Sequence, residues 1–193
     1  MPVSTPLSDF ELMQRVAGYD SKALEALYDR YSPILYTVIK KIVTDEKTAE
    51  DVLTGVFVII WRKMDHFDFN TKNVYTWLVT LARNKAVDTL RRTREGENTE
   101  EYTEEYEEKY IIPKLSPEID ALDLNTAIGI KENVEKALDE LTDAQQYVIY
   151  LAYYEGLTEK EIAARLNIPV QTVKSKIKIA LSNLKENLVK GES

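Results

Sequence analysis

Apolar residues recur every three to four positions along most of the chain, the spacing that lines one face of an α-helix. Ser8-Asp9-Phe10-Glu11 has the form of a capping box, in which hydroxyl and carboxylate satisfy free backbone N–H groups at a helix start. Asp20-Ser21 opens a second helix, with Leu24, Leu27, Tyr28, Tyr31, Leu35, Val38, Ile39 and Ile42 at helical spacing. Pro33 lies inside that run and predicts a kink or a short break. Thr44-Asp45 precedes a third helix, "KTAEDVLTGVFVIIWRKM". A loop, "DHFDFNTK", follows, and Asn73 is a plausible cap for the fourth helix, "VYTWLVTLARNKAVDTLRRTR". There Val74, Trp77, Leu78, Leu81, Ala82 and Leu90 form the apolar stripe, while Arg83, Asn84, Lys85, Asp88, Arg91 and Arg92 are polar.

The second half repeats the logic with sharper punctuation. Ser116-Pro117-Glu118 reads as a cap followed by proline at the first helical position. Thr142 to Gln145 and Thr158 to Glu161 are two further capping boxes, and Gly156 ends the helix between them. Asn167-Ile168 forms a turn, and Pro169 starts a last helix from Val170 to about Leu188. Its Val173, Ile177, Ala180, Leu181 and Leu184 fall on one side; Gln171, Ser175, Lys178 and Ser182 fall opposite, flanked by Thr172, Lys174 and Lys176. A short helix, a tight turn and a second helix offering polar residues is the helix-turn-helix layout.

Composition adds that the 193 residues contain only 6 Gly and 6 Pro, which favours an all-α chain of one or two compact domains. Cysteine is absent, so disulfides and thiolate chemistry are excluded, and a cytoplasmic setting fits. No apolar run approaches the ~20 residues needed to span a bilayer, so no direct membrane insertion is expected. The start, "MPVSTPLSDF", lacks the basic and apolar regions of a secretory signal.

The net charge of −8 is unevenly spread. Residues 96–125 hold 2 Lys/Arg against 10 Asp/Glu, while the segments before and after are nearly neutral. Tyr102, Tyr106 and Tyr110 recur among the glutamates of this stretch. Mutual repulsion and few aliphatics argue against a packed core and for a flexible acidic linker, extended or only partly helical. It is either a solvated spacer or a set of carboxylates that lies in a basic channel of a partner. Three segments result: a helical domain over 8–95, the linker over 96–125 and a second helical domain over 126–190.

Two surfaces are candidates for nucleic acid. Arg91, Arg92 and Arg94 near a helix C-terminus can simply complement the macrodipole. Yet Phe67, Phe69 and Tyr75 neighbour Asn70, Lys72 and Arg83 in sequence, and aromatic faces beside cations are what unpaired bases stack upon. On the last helix, Gln171, Thr172, Lys174, Ser175, Lys176 and Lys178 are candidates for bases or phosphates, the lysines acting first as phosphate point charges. His66 has no second metal ligand nearby, and Asp45, Glu46, Glu50 and Asp51 read as a solvated helix start. No phosphate loop, nucleophile elbow or zinc-protease motif is present, so neither a catalytic residue nor a cofactor, metal or small-molecule substrate is expected.

"ALEALYDRYSPILY", "TAEDVLTGVFVIIW" and "VYTWLVTLARNKAVDTLRR" resemble region 2 of the extracytoplasmic-function (group 4) bacterial RNA polymerase sigma factors. "LDELTDAQQYVIYLAYYEGLTEKEIAARLNIPVQTVKSKIKIALSNLKENL" is similar to their region 4. The resemblance implies that Ala49, Glu50, Asp51, Val52 and Thr54 contact the clamp of core polymerase. It implies that Phe67, Asn70, Lys72, Arg83, Asn84, Asp88, Arg91 and Arg92 hold and open the −10 promoter element. The last helix would enter the major groove of the −35 element, the linker would thread the polymerase channels, and an anti-sigma factor would restrain the whole. Thr54-Gly55 departs from the family's usual Gln/Glu pair, Ile59 stands where a charge is frequent, and the region 4 cations are Lys where Arg is common. Two rival readings are a two-domain regulator that binds duplex DNA without polymerase, and a sigma-like protein that no longer initiates.

Overall fold

The computed structural model describes residues 7–70, 74–96, 99–113, 134 and 136–190. Asn73 as a cap, Lys72 as a DNA contact, the helix start at Ser116-Pro117-Glu118 and the acidic stretch from 114 to 125 all lie outside the described residues. The chain divides into two compact units, Met1–Leu124 and Asn125–Ser193. Among the described residues every regular element is helical.

In the first unit, α1 (Asp9–Ala17) begins on the expected capping box: Ser8 N donates to Glu11 Oε2 at 2.8 Å, and Ser8 Oγ accepts from Glu11 N at 3.2 Å. Asp20 caps α2 (Ser21–Ile42), and Asp45 caps α3 (Glu46–Arg62) through Thr48 N at 2.8 Å. A 3-10 turn, Met64–His66, leads toward α4 (Val74–Glu95). Helix α2 buries Ala23, Leu27, Tyr31, Leu35 and Ile39, a four-residue repeat that packs against α1, α3 and α4. Trp77, Leu78 and Leu81 of α4 complete the same core. Asp9 ties α1 to α2, forming an ion pair with Arg30 and accepting from Tyr31 Oη at 2.6 Å.

Of the kink or short break expected at Pro33, the break does not occur: α2 is continuous from Ser21 to Ile42. Its ring is on the exposed side, and Thr37 Oγ1 donates to its carbonyl at 2.8 Å. Burial of the opposite face outweighs the proline penalty of roughly 3 kcal/mol.

The acidic stretch also departs from expectation. After α4, a short turn α5 (Glu104–Tyr106) runs on as a π-helical turn, Glu107–Ile111. Tyr106, Glu107, Ile111 and Ile112 are buried, and the segment packs along α4. The repulsion that argued against packing is offset because three tyrosines at four-residue spacing share one side, and because cations of the first unit meet the glutamates.

In the second unit, α6 (Asp143–Tyr153) and α7 (Glu159–Leu166) both start on the capping boxes read in the sequence. The turn after α7 puts Asn167 at φ 51° and ψ 47°, a left-handed conformation that asparagine tolerates better than most residues. Helix α8 (Val170–Lys190) then returns across the pair. Leu151, Ile162, Ala163 and Val173 form the core, flanked by Leu157, Leu166, Ile168 and Ile177. Leu181, expected on the inward side, is 53% exposed. Ala180 beside it is fully buried, so the inward face of α8 at that turn points away from Leu181.

Candidate nucleic-acid interface

Helix α4 presents its polar residues beside the docked acidic segment. Tyr106 is almost fully buried, and its hydroxyl donates to Asp88 Oδ1 at 2.5 Å. Asp88, itself only 6% exposed, accepts from Arg92 Nε at 2.9 Å. Arg91 hydrogen-bonds the Tyr106 hydroxyl, and its guanidinium lies 5.7 Å from the Tyr110 ring centre. Arg92 lies 4.6 Å from the Tyr106 ring and 5.0 Å from Tyr102. Lys85 Nζ donates to the Tyr102 hydroxyl at 2.9 Å, and that hydroxyl donates to Glu107 Oε2 at 2.8 Å. Asn84 Nδ2 donates to the Ile111 carbonyl at 3.0 Å. Outside this cluster, Arg62 meets Glu104 at 3.1 Å, Lys63 meets Glu108 at 3.2 Å and His66 lies 3.6 Å from Glu108.

Burial sets the electrostatics here. It pushes the Tyr106 phenol above its ordinary pKa, helped by the Asp88 carboxylate. It raises Tyr102 further, helped by Glu107. Burial lowers the Lys85 ammonium, against the pull of Asp88 and Glu107. The outcome is a cationic ridge (Lys85, Arg91, Arg92) capped by phenol rings tilted 44° and 47° to one another, with centroid separations of 5.6 Å for Tyr102–Tyr106 and 4.7 Å for Tyr106–Tyr110.

The other region 2 candidates differ in accessibility. Phe67 is 3% exposed and packs edge-on against Trp77 and Phe69, so its ring is part of the core and offers no face to solvent. Asp88 is likewise a buried structural anion and not a solvated contact. Asn70 is exposed, with its backbone N and Nδ2 both donating to Asp68 Oδ1. Arg83 is half-buried and donates to Asn84 Oδ1 at 3.2 Å. On α3, Ala49 and Val52 are buried, whereas Glu50, Asp51 and Thr54 are exposed. Ile59 and Ile60 are buried too, whereas Val58 beside them is exposed. Thr54 and Val58 line an open apolar groove of about 510 Å³ with Leu24, Tyr28, Phe57 and Trp61.

On α8, Val173 and Ala180 are buried while Gln171, Lys174, Ser175 and Lys178 are exposed and Thr172 and Lys176 are half-buried. Lys174 Nζ lies 3.6 Å from Glu159 of α7, both side chains being about half exposed. The described residues contain no cluster of His, Cys, Asp or Glu suited to a metal ion. None of their helices is long and apolar enough to cross a membrane.

Sequence reasoning missed the Tyr106–Asp88–Arg92 cluster and the docked linker. The signal was present in the four-residue spacing of Tyr102, Tyr106 and Tyr110, which gathers the rings on one side of a helical segment.

Residues 27–95 match the family model for sigma-70 region 2, and residues 137–186 match that for sigma-70 region 4. The chain is 32% identical over 178 residues to an ECF RNA polymerase sigma factor, SigK, of Mycobacterium bovis, covering 92% of this chain and 91% of that protein. A second SigK, from Mycobacterium sp. strain JLS, is 30% identical over 177 residues, covering 92% and 89%. Among solved structures, SigE of Rhodobacter sphaeroides, in complex with the anti-sigma ChrR, is 25% identical with a TM-score of 0.46, covering 94% of this chain and 99% of that one.

Proposed function

Since the chain belongs to the extracytoplasmic-function RNA polymerase sigma factors of the sigma-70 family, we propose that it directs bacterial core polymerase to promoters by binding the −35 and −10 elements and opening the −10 strands. An anti-sigma factor holds it inactive until it is needed. The family is one of non-catalytic initiation subunits, so the work is done by binding energy alone.

Gln171, Thr172, Lys174, Ser175, Lys176 and Lys178 of α8 enter the major groove at −35. Lysines there act chiefly on phosphates, so they add affinity more than base discrimination. Asn70, Lys72, Arg83, Asn84, Arg91 and Arg92 hold the −10 strand, while buried Phe67 and Asp88 act indirectly by shaping the loop and the end of α4. Glu50, Asp51 and Thr54, on the exposed side of α3, meet the polymerase clamp, with Ala49 and Val52 anchoring that helix from beneath. Each DNA contact is weak by itself. Polymerase fixes their spacing, the second contact becomes intramolecular, and affinity rises without new interactions.

The observation that carries this reading is the α7–α8 pair. It exposes Gln171, Lys174, Ser175 and Lys178 while burying Val173 and Ala180, in a chain whose other unit matches sigma region 2. The test is transcription with core polymerase on a genomic fragment library, with start sites mapped, beside a gel shift of the protein alone. Discrete starts that require both protein and core are expected. Tight sequence-specific duplex binding without core, and no transcripts with it, would instead favour the polymerase-independent regulator.

A further inference from the structure

We propose that the acidic segment 99–112 is a built-in competitor for single-stranded DNA, seated on the same α4 ridge that would receive an unpaired strand. The inference rests on the assignment of that ridge to the −10 strand and adds an occupant from the same chain. An unpaired strand offers stacked π-faces and anions at regular intervals. The segment offers the same chemistry. Its rings at 102, 106 and 110 form a ladder beside Lys85, Arg91 and Arg92, and its carboxylates at 104 and 108 meet Arg62 and Lys63. Asn84, a candidate base contact, is occupied by the Ile111 carbonyl.

Two classes of contact hold the segment. Tyr106, Ile111 and Ile112 are buried, 5% exposed or less, and anchor it. The pairs to Arg62 and Lys63 involve well-exposed glutamates, at 72% and 45%, and such pairs contribute little net stability. The cover is therefore an exchangeable one. A strand that supplies both stacking and phosphates can displace it, and the ridge stays paired until then.

The test uses the full-length chain with Ile111→Ser/Ile112→Ser, which removes two anchors without altering charge or any ridge residue. Tyr102→Ala, at the half-exposed end of the ladder, serves as a second variant that leaves the buried anchors in place. Binding of a fluorescein-labelled oligothymidylate of about 12 nucleotides is measured by anisotropy, and amide hydrogen exchange is followed over 103–112. Release of the segment is expected to speed that exchange about tenfold and to tighten oligothymidylate binding at least about fivefold in the double variant, with a smaller change in the same direction for Tyr102→Ala. Adding oligothymidylate to the wild-type chain is expected to speed exchange over 103–112 while slowing it in α4.

Any of three results overturns the proposal. These are exchange over 103–112 of the wild-type chain as fast as in an unstructured peptide, no tighter oligothymidylate binding by the released variants, or no binding by either form. Transcription with core polymerase is scored separately. Initiation with no gain in strand binding would sink the competitor and leave the sigma assignment intact. A release-dependent gain with no initiation would do the reverse.

Discussion

The cationic ends of α4 and α8 look alike as strings of residues, yet they sit in different states. On α4, Lys85, Arg91 and Arg92 are half-buried against tyrosine rings, and the two arginines pair with the buried Asp88. On α8, Lys174 and Lys178 project into solvent, and the ion pair from Lys174 to Glu159 is long and exposed. The α4 charges belong to the packing of their unit, whereas the α8 charges are available to a partner at little structural cost. One basic helix can thus serve stability and binding together, and the other can be tuned for binding alone.

The largest expected effect comes from cutting the knot on α4. Asp88→Ala leaves Arg92 and the Tyr106 hydroxyl without their shared acceptor in a largely dry site. A loss of about 3 kcal/mol is expected in urea unfolding of the first unit, against less than about 0.5 kcal/mol in the second unit for Lys178→Ala. Equal losses at both sites would erase the contrast. The next effect is read in binding. In polymerase-bound form on promoter DNA, Lys174→Ala with Lys178→Ala is expected to reduce the slope of log affinity against log salt by about 2, one for each lost phosphate contact. An unchanged slope would mean that α8 does not meet phosphates through these lysines.

A smaller effect sits between α3 and α4. Gly55 lies inside α3, and a β-carbon there would meet only Lys85 Cε, at 3.5 Å. Gly55→Ala is expected to stabilise the first unit by up to about 1 kcal/mol in thermal or urea unfolding. Destabilisation would show that Lys85 cannot yield and that the ridge is tightly set.

The smallest effect is acid sensitivity. Glu11, Asp20 and Asp45 have lowered pKa values, held down by the Ser8 hydroxyl, the Arg15 guanidinium and the Thr48 hydroxyl respectively. A carboxylate depressed in the folded state contributes stability above its unfolded pKa and loses it as pH falls through the folded value. All three sit at helix starts of the first unit. Amide exchange at the beginnings of α1, α2 and α3 is expected to quicken as pH drops below about 4, after correction for intrinsic rates. Unchanged protection at about pH 3 would show that these caps add little.

The local grammar of the chain was legible in sequence. Ser8, Asp20, Asp45, Thr142 and Thr158 start helices because their side chains reach orphaned N–H groups within three residues, an interaction that needs no distant partner. The apolar periods of α2 and α4 marked the core, and the polar side of α8 followed from helical geometry. Both sigma regions were recognisable from these runs. Tertiary structure decided what local rules cannot. Pro33 stays within a continuous helix because the opposite face is buried. Phe67 turns inward because Trp77 and Phe69 offer it edges. The acidic stretch packs because Arg62 of α3 and Lys63 just beyond it meet Glu104 and Glu108, and because Asp88 holds Tyr106 in place. Charge repulsion along a sequence is summed over neighbours in the chain. In the fold, Glu104 and Glu108 also meet Arg62 and Lys63, partners that lie more than forty residues away along the chain.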